Sequence, residues 1–303
     1  MPTSRWWGRP SWRRRSRAWR GGSRRRAKRH RSSEACPHPP AAQTGSCYSR
    51  PVPTRVLLHF HPDWPYRSTT VLDAMASSGR YLSQFETGTS NGGLTAHPGG
   101  DRWRWESRLF NGRYDTTPAD ARPVYGAVDL GGMHGAAPRF GSAFLRLGPE
   151  ASARATFCYP DSVFEPDRLV GVDDLPALVE RMLSEDLEPL DRYVEAHVHG
   201  GVTFARDVEA IVLDPCYRGT AAHAAAARLS QVDFHPGFSV NTDALDPEYR
   251  GPRYAALAAS LADELTPDVI GVAARSGLHP AQSLKKVWHL LARYGPRDGP
   301  TPA

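Results

Sequence analysis

The chain has 303 residues and a formal net charge of +6, but residues 1–50 hold 14 of its 38 Lys and Arg side chains and one of its 32 acidic ones. This leaves 24 basic and 31 acidic residues for 51–303, which argues against a folded basic surface that binds nucleic acid. No run approaches the roughly 18 apolar residues of a membrane span, and the four cysteines contain no CxxC pair that would indicate a cysteine zinc site.

Residues 1–50 form an Arg-rich tail that we predict to be disordered. The run RRRSRAWRGGSRRRAKRHR has no apolar periodicity, and the loop-like PHPPAAQTGS follows it. Such a tail can contact nucleic acid or anionic surfaces non-specifically. Because the tail lacks the apolar stretch of a signal peptide, we expect a cytoplasmic protein.

Residues 51–250 have the pattern of an α+β domain. Short β-like runs are bounded by Gly or Pro, and two stretches have the apolar spacing of helices. The strands do not alternate regularly with helices, so we expect a mainly antiparallel sheet. The predicted strands are 54–62, 122–130, 142–148, 153–159, 193–204 and 207–215, and the predicted helices are 68–79 and 173–185.

Residues 251–303 are predicted to form a helical C-terminal cap. Helical patterns cover 252–265, 267–277 and 280–295. The last of them has an apolar stripe that predicts packing against the domain. The alternative is a helix-turn-helix that binds nucleic acid, because basic side chains accompany the stripe. The stripe consists of Leu284, Val287, Leu290 and Leu291.

The stretch SQFETGTSNGGLTAHPGGDRWRWE, residues 83–106, combines glycines with hydroxyl side chains and aromatic rings. Glycines such as Gly92 allow the backbone to approach a ligand closely. The hydroxyls of Thr87, Thr89 and Ser90 offer hydrogen bonds beside them, although such residues also cap turns. We interpret this stretch as one wall of a nucleotide pocket.

Two predicted strands carry histidines at alternate positions. Glu195 and His197 project from one face of their strand, as do His59 and His61 from theirs. These side chains could face solvent, hold a ribose and its phosphates, or offer imidazoles to a metal ion. Bare HxH pairs are common, and no acceptors that would orient metal-bound imidazoles can be identified, so we expect no metal.

Longer motifs support two resemblances. Residues 51 to about 295 resemble the bacterial family known as domain of unknown function 3626, through LLHFHPD, RPVYGAVDL, PRFGSAFLRL, ATFCYPDS, YVEAHVHGGVTFARDVEAIVLDP and HPGF. A looser resemblance links the chain to the ADP-ribosyltransferase toxin-like fold. It rests on a first strand with His or Arg, a Ser/Thr segment, YG and FGS turns, and EAHVHGGV before DVE.

The second resemblance implies a split-sheet core that uses NAD as a substrate. It implies transfer of ADP-ribose to an unknown macromolecule, or NAD hydrolysis, by a toxin or effector delivered to a target cell. Glu195 would polarise the ribose hydroxyl, and His197 would be the base that takes a proton from the acceptor. By motif position, the residues that would contact NAD are His61, Arg55, Thr87, Thr89, Ser90, Gly92, Tyr125 and Gly126.

Two other functions remain open from the sequence alone. One is a metal-dependent hydrolase that uses the HxH histidines. The other is a non-catalytic binding module that engages nucleic acid through the basic tail.

Overall fold

The computed structural model describes residues 54–88, 95–166 and 168–299. The predicted tail and the loop residues Thr89, Ser90 and Gly92 lie outside this part of the chain. The described residues form thirteen strands and ten helices. The strands are β1 (Val56–Phe60), β2 (Pro65–Tyr66), β3 (Thr69–Thr70), β4 (Arg80–Tyr81), β5 (Val124–Val128), β6 (Ala143–Leu147), β7 (Ala155–Cys158), β8 (Glu195–Val198), β9 (Val202–Thr203), β10 (Val208–Leu213), β11 (Gln231–Phe234), β12 (Val240–Asn241) and β13 (Glu264–Leu265). The helices are α1 (Val71–Ser78), α2 (Gln84–Thr87), α3 (Asp101–Leu109), α4 (Pro149–Ala153), α5 (Leu175–Ser184), α6 (Phe204–Asp207), α7 (Ala221–Ala227), α8 (Pro252–Leu261), α9 (Pro267–Ser276) and α10 (Ala281–Tyr294).

Seven strands form the central sheet, in the order β11-β10-β6-β1-β5-β8-β7. Every neighbouring pair is antiparallel except β10 and β11, which run parallel and are connected through α7. This confirms the predicted α+β class and the mainly antiparallel sheet. The seven strands belong to one continuous sheet in the described residues, whereas the resemblance implied a split one.

Each predicted strand contains a strand of the central sheet, and each predicted helix contains an observed one. The elements that were not predicted include α3, α7 and β11. Helix α3 begins within the glycine-rich stretch 83–106 and continues to Leu109. Its position over the sheet decides the environment of the candidate site.

One face of the sheet forms the main apolar core. Side chains such as Leu58, Leu145 and Ala196 point to this face and are fully buried. Helices α1, α5 and α7 cover the face with their own apolar residues, including Leu72 and Leu178. Because side chains alternate along a strand, Glu195 and His197 lie on the opposite face.

The C-terminal helices α8, α9 and α10 pack around a second core, in which Leu284, Val287 and Trp288 are fully buried. The indole Nε1–H of Trp288 donates to the carbonyl of Pro138, 2.9 Å away, in the segment that leads into β6. The apolar stripe of α10 therefore packs inside the protein. No helix in the described residues is long and apolar enough to cross a membrane.

Candidate functional site

The site is built on β8, which pairs with β5 on one side and β7 on the other. The register places Tyr125 and Thr156 opposite His197, and Cys158 opposite Glu195. Both members of the predicted pair therefore project from one face of the sheet, as strand alternation indicated. The face is covered and not solvated, since Glu195 and His197 are both buried.

Glu195 is held by hydrogen bonds to both carboxylate oxygens. Oε1 lies 2.8 Å from Nε2 of His197, and Oε2 accepts from the hydroxyl of Ser162 at 3.3 Å. Burial alone would raise the pKa of Glu195, but the bond from His197 and the positive charge of Arg102 outweigh it and lower that pKa. The carboxylate is therefore ionised at neutral pH although it is buried.

His197 belongs to a hydrogen-bonded chain that leads away from Glu195. Its Nδ1 lies 3.4 Å from the hydroxyl of Thr156, which in turn lies 2.9 Å from Nε2 of His199. The phenol of Tyr114 is 2.6 Å from Nδ1 of His199. If Tyr114 donates at the start of this chain, one consistent set of tautomers lets each group donate to the next, and Nε2–H of His197 donates to Glu195.

The predicted role of His197 as a base for an acceptor does not fit this environment. The side chain has no exposed surface, and both ring nitrogens have protein partners. The rings of Tyr125 and Phe110 also contact it edge-on, at centroid distances of 5.0 and 5.3 Å. His197 therefore orients the carboxylate of Glu195 and is not placed to contact a substrate.

Helix α3 covers this face of the sheet with charged side chains. The guanidinium of Arg102 lies 4.6 Å from the ring centre of Tyr125. Glu106, one helical turn further on, is fully buried; it forms an ion pair with Arg122 and accepts a bond from the Tyr125 hydroxyl at 3.3 Å. These contacts fix Tyr125 between α3 and the imidazole of His197.

Two adjoining chambers form a cleft, and of the pair only Glu195 lines it. The smaller chamber has a volume of about 130 Å³ and is lined by Glu195 together with Arg102, Asp161 and Tyr193. The larger chamber has a volume of about 360 Å³. They share a wall that consists of Tyr81, Gln84, Tyr125, Arg139 and Phe140.

The predicted contact residues are distributed unevenly around this cleft. His61 and Thr87 line the larger chamber, Gly126 lines the smaller one, and Tyr125 lines both. Packing requires a glycine at position 126, since a Cβ there would lie 2.6 Å from the Leu57 carbonyl oxygen. Thr89, Ser90 and Gly92 lie outside the described residues, so their predicted contacts with NAD remain predictions.

Arg55 is the predicted contact that the structure places away from both chambers. Its guanidinium forms an ion pair with Glu209 of β10, at 3.3 Å, and both side chains are partly exposed. Arg55 precedes β1, whereas His61 follows that strand at its opposite end. One strand therefore separates the two candidates, and His61 is the one beside the cleft.

The four imidazoles of the HFH and HVH motifs do not converge on one point in the described residues. Nδ1 of His59 lies 3.2 Å from the carbonyl oxygen of Gly141, and its Nε2 accepts from the amide of Ala137 at 3.1 Å. The ring of His61 stacks on Trp64 at 4.2 Å. A metal site made from these motifs therefore lacks structural support.

Burial of the histidines predicts a loss of stability in acid. It lowers the pKa of His59 and His61 to about 3 and that of His199 to about 4. Below pH 6.5 the unfolded chain gains protons that these rings do not, so stability is full above that pH and is lost as the pH falls. The cost is at most about 1.4 kcal/mol per pH unit for the buried His59, and it is smaller for the half-buried His61 and His199.

We expect the free energy of unfolding in urea to decrease from pH 7 to pH 4.5. His59→Asn keeps a donor for the Gly141 carbonyl but cannot titrate, so it should flatten this slope. A wild-type free energy that is constant between pH 7 and pH 5 would contradict the prediction.

Several cleft residues were not identified from the sequence: Arg139 and Lys285, Arg102 with Asp161, and Tyr193. They come from turns and helices that are distant in the chain, and no local pattern connects them. One local signal could have indicated α3. Arg102 and Glu106 are four residues apart, a spacing that places both side chains on one face of a helix.

The fold and site together define an α+β domain with a buried carboxylate–imidazole pair at the base of a two-chambered cleft. Residues 55–189 and 176–294 match the model of the family described as "Protein of unknown function (DUF3626)". The chain belongs to that family, which confirms the first resemblance drawn from its motifs. A search of curated proteins found no significant match.

Proposed function

We propose that the cleft binds NAD and that Glu195 assists cleavage of the bond between its nicotinamide and ribose. ADP-ribose would pass to a macromolecule or to water. The observation that supports this most is the position of Glu195, an ionised carboxylate at the base of the smaller chamber. That chamber is smaller than most ligand pockets, so it would take one end of a substrate that continues into the larger chamber.

The chemistry needs a fixed negative charge beneath the ribose. When the bond breaks, its electron pair leaves with the nicotinamide nitrogen, and the ribose carbon becomes positively charged. Glu195 would stabilise that charge, since it is already oriented by His197 and Ser162 and needs no rearrangement. The acceptor oxygen would then bond to the ribose carbon, and its proton would pass to solvent.

The direct test is release of nicotinamide by the purified full-length chain, followed chromatographically with and without cell lysate as a source of acceptors. Calorimetry with NAD measures binding separately from turnover, and tagged NAD reports labelled acceptors. We expect binding together with either hydrolysis or labelling. A chain that neither binds NAD nor labels any lysate protein would remove the proposal.

A second candidate function follows from one cluster in the described residues. Ligand atoms of Cys158, Glu195 and His197 all lie within 4.8 Å of one another, a spacing that a metal ion could use. A thiolate is the form that binds metals, but burial and the nearby charge of Glu195 raise the pKa of Cys158 far above its usual value. This cluster would support a metal-dependent hydrolase only if an ion displaced the thiol proton.

We therefore expect protein purified without chelator to contain no stoichiometric transition metal. The three side chains already contact one another, and Nε2 of His197 is directed at the Glu195 carboxylate. Elemental analysis of the wild type and of Cys158→Ser is the measurement. Stoichiometric zinc, iron or manganese that is lost in the variant would make the metal-dependent hydrolase the better supported of the two candidate functions.

A further inference from the structure

The larger chamber has a one-sided charge. Three charged residues line it in the described part of the chain, and all of them are cations: Arg80, Arg139 and Lys285. No described carboxylate lines this chamber, whereas Asp161 and Glu195 both line the smaller one. An enclosed surface of one sign attracts ligands of the opposite charge.

We infer that the larger chamber is an anion-binding subsite that holds the phosphates and base of a nucleotide, with Lys285 and Arg139 as its charged contacts. The inference rests on the proposed function for its orientation. It assigns the ADP portion of NAD to this chamber and the ribose attached to nicotinamide to the chamber of Glu195.

The walls of the larger chamber suit a planar aromatic base. His61 and Trp64 stack with an interplanar angle of 11°, and the rings of Tyr66, Tyr81 and Phe140 also line the space. The volume of about 360 Å³ falls within the range of small-ligand pockets, which are mostly apolar with a few polar groups. A nucleotide has both the flat ring and the charge that such a chamber would bind.

The C-terminal segment supplies the cationic end of this chamber. Ala281, Gln282 and Lys285 belong to the first turns of α10, a helix of 14 residues, and all three line the space. Pro280 precedes the helix, and no described side chain caps its first turn. The amino end of a helix carries partial positive charge, which adds to that of the lysine.

The arginines already have carboxylate partners outside the chamber lining. Arg80 forms an ion pair with Glu86 at 3.0 Å, and Arg139 forms one with Asp191. Arg139 lines both chambers, so a phosphate beside it would lie between the base and Glu195.

The surroundings of Lys285 disfavour its charge. Burial, together with the charges of Arg139 and Lys286, lowers its pKa to about 8. The charge of Arg102 also lowers this pKa, whereas the carboxylate of Asp161 raises it. A bound phosphate would favour the protonated ammonium and so raise this pKa again.

The experiment compares adenosine, AMP and ADP as ligands of the full chain by calorimetry at pH 7. We expect ADP to bind at least about tenfold more tightly than adenosine, since a charge-assisted hydrogen bond contributes that much. Lys285→Met should lower the affinity for ADP by about tenfold and leave that for adenosine unchanged. Lys285→Arg should keep most of the ADP affinity.

Lys286→Met is the matched control. It removes the same charge at the next position in the helix, and Lys286 does not line the chamber. Raising the pH from 7 to 9.5 should weaken ADP binding to the wild type, as Lys285 loses its proton, but not to Lys285→Arg. Equal affinities for adenosine and ADP, or equal effects of the two Lys→Met variants, would overturn the inference.

The same measurements separate this inference from the proposed function. Charge-selective binding of ADP without any nicotinamide release would keep the subsite and remove the proposed reaction. Nicotinamide release from a chain that binds adenosine and ADP equally would keep the reaction and remove the subsite.

Discussion

Substituting glutamine for Glu195 is expected to lower the rate of nicotinamide release from NAD by about 10²–10³-fold, the usual effect of removing one charge-stabilising group. Glutamine has nearly the same shape: its amide oxygen can still accept from His197, and its NH2 group can donate to the Ser162 hydroxyl, so the fold should be kept. The neutral amide cannot stabilise the positive charge that develops on the ribose. Affinity for NAD should change much less than turnover, because most contacts of the substrate would lie in the larger chamber.

Steady-state kinetics and calorimetry on the same preparations would check this expectation. Glu264→Gln is the matched control: it makes the same chemical change at an exposed residue, which is paired with Arg297 at 2.9 Å. It should leave both rate and affinity unchanged. A Glu195→Gln variant that retains more than about a tenth of the wild-type rate would contradict the assigned role.

Much of the fold could be predicted from the sequence because its strand and helix patterns are regular. Strand alternation was sufficient to place Glu195 and His197 on one face. It could not show that this face is buried, because burial depends on which element covers it. The covering element is α3, whose two buried residues are Arg102 and Glu106. Amphipathic helices are recognised by apolar spacing, and in α3 charged side chains occupy the buried positions.

The larger chamber could not be predicted from sequence patterns, for a different reason. Arg139 lies in a turn before β6 and Lys285 in the last helix, and they meet only because α10 packs against that turn. The apolar stripe of α10 predicted that the helix is packed, but a stripe does not specify the surface that it meets. Lys285 lies in the same helix, beside Leu284 of the stripe, and borders the chamber.

The ion pair beneath α3 links the stability of the fold to the site. Glu106 has no exposed surface and the Arg122 side chain is 4% exposed, so each charge depends on the other for compensation. Arg122 also lies over the ring of Phe85, 4.0 Å from its centre. Burial raises the pKa of Glu106, while Arg122 acts in the opposite direction. Loss of the arginine would leave a buried carboxylate with the Tyr125 hydroxyl and the more distant charge of Arg102.

Replacing Arg122 with methionine is therefore expected to lower the free energy of unfolding by about 3–5 kcal/mol at pH 7, the usual cost of an uncompensated buried charge. The loss should be smaller at pH 5.5, because protonation of Glu106 removes that charge. The double variant Arg122→Met/Glu106→Leu should recover much of the stability, since an apolar pair can replace a buried ion pair. Arg104→Met, on the exposed side of the same helix, removes a partner of Asp101 and should cost less than about 1 kcal/mol. Urea unfolding of the wild type and these three variants measures the differences in the free energy of unfolding. Equal losses of that free energy for Arg122→Met and Arg104→Met would show that the buried pair does not hold α3 over the site.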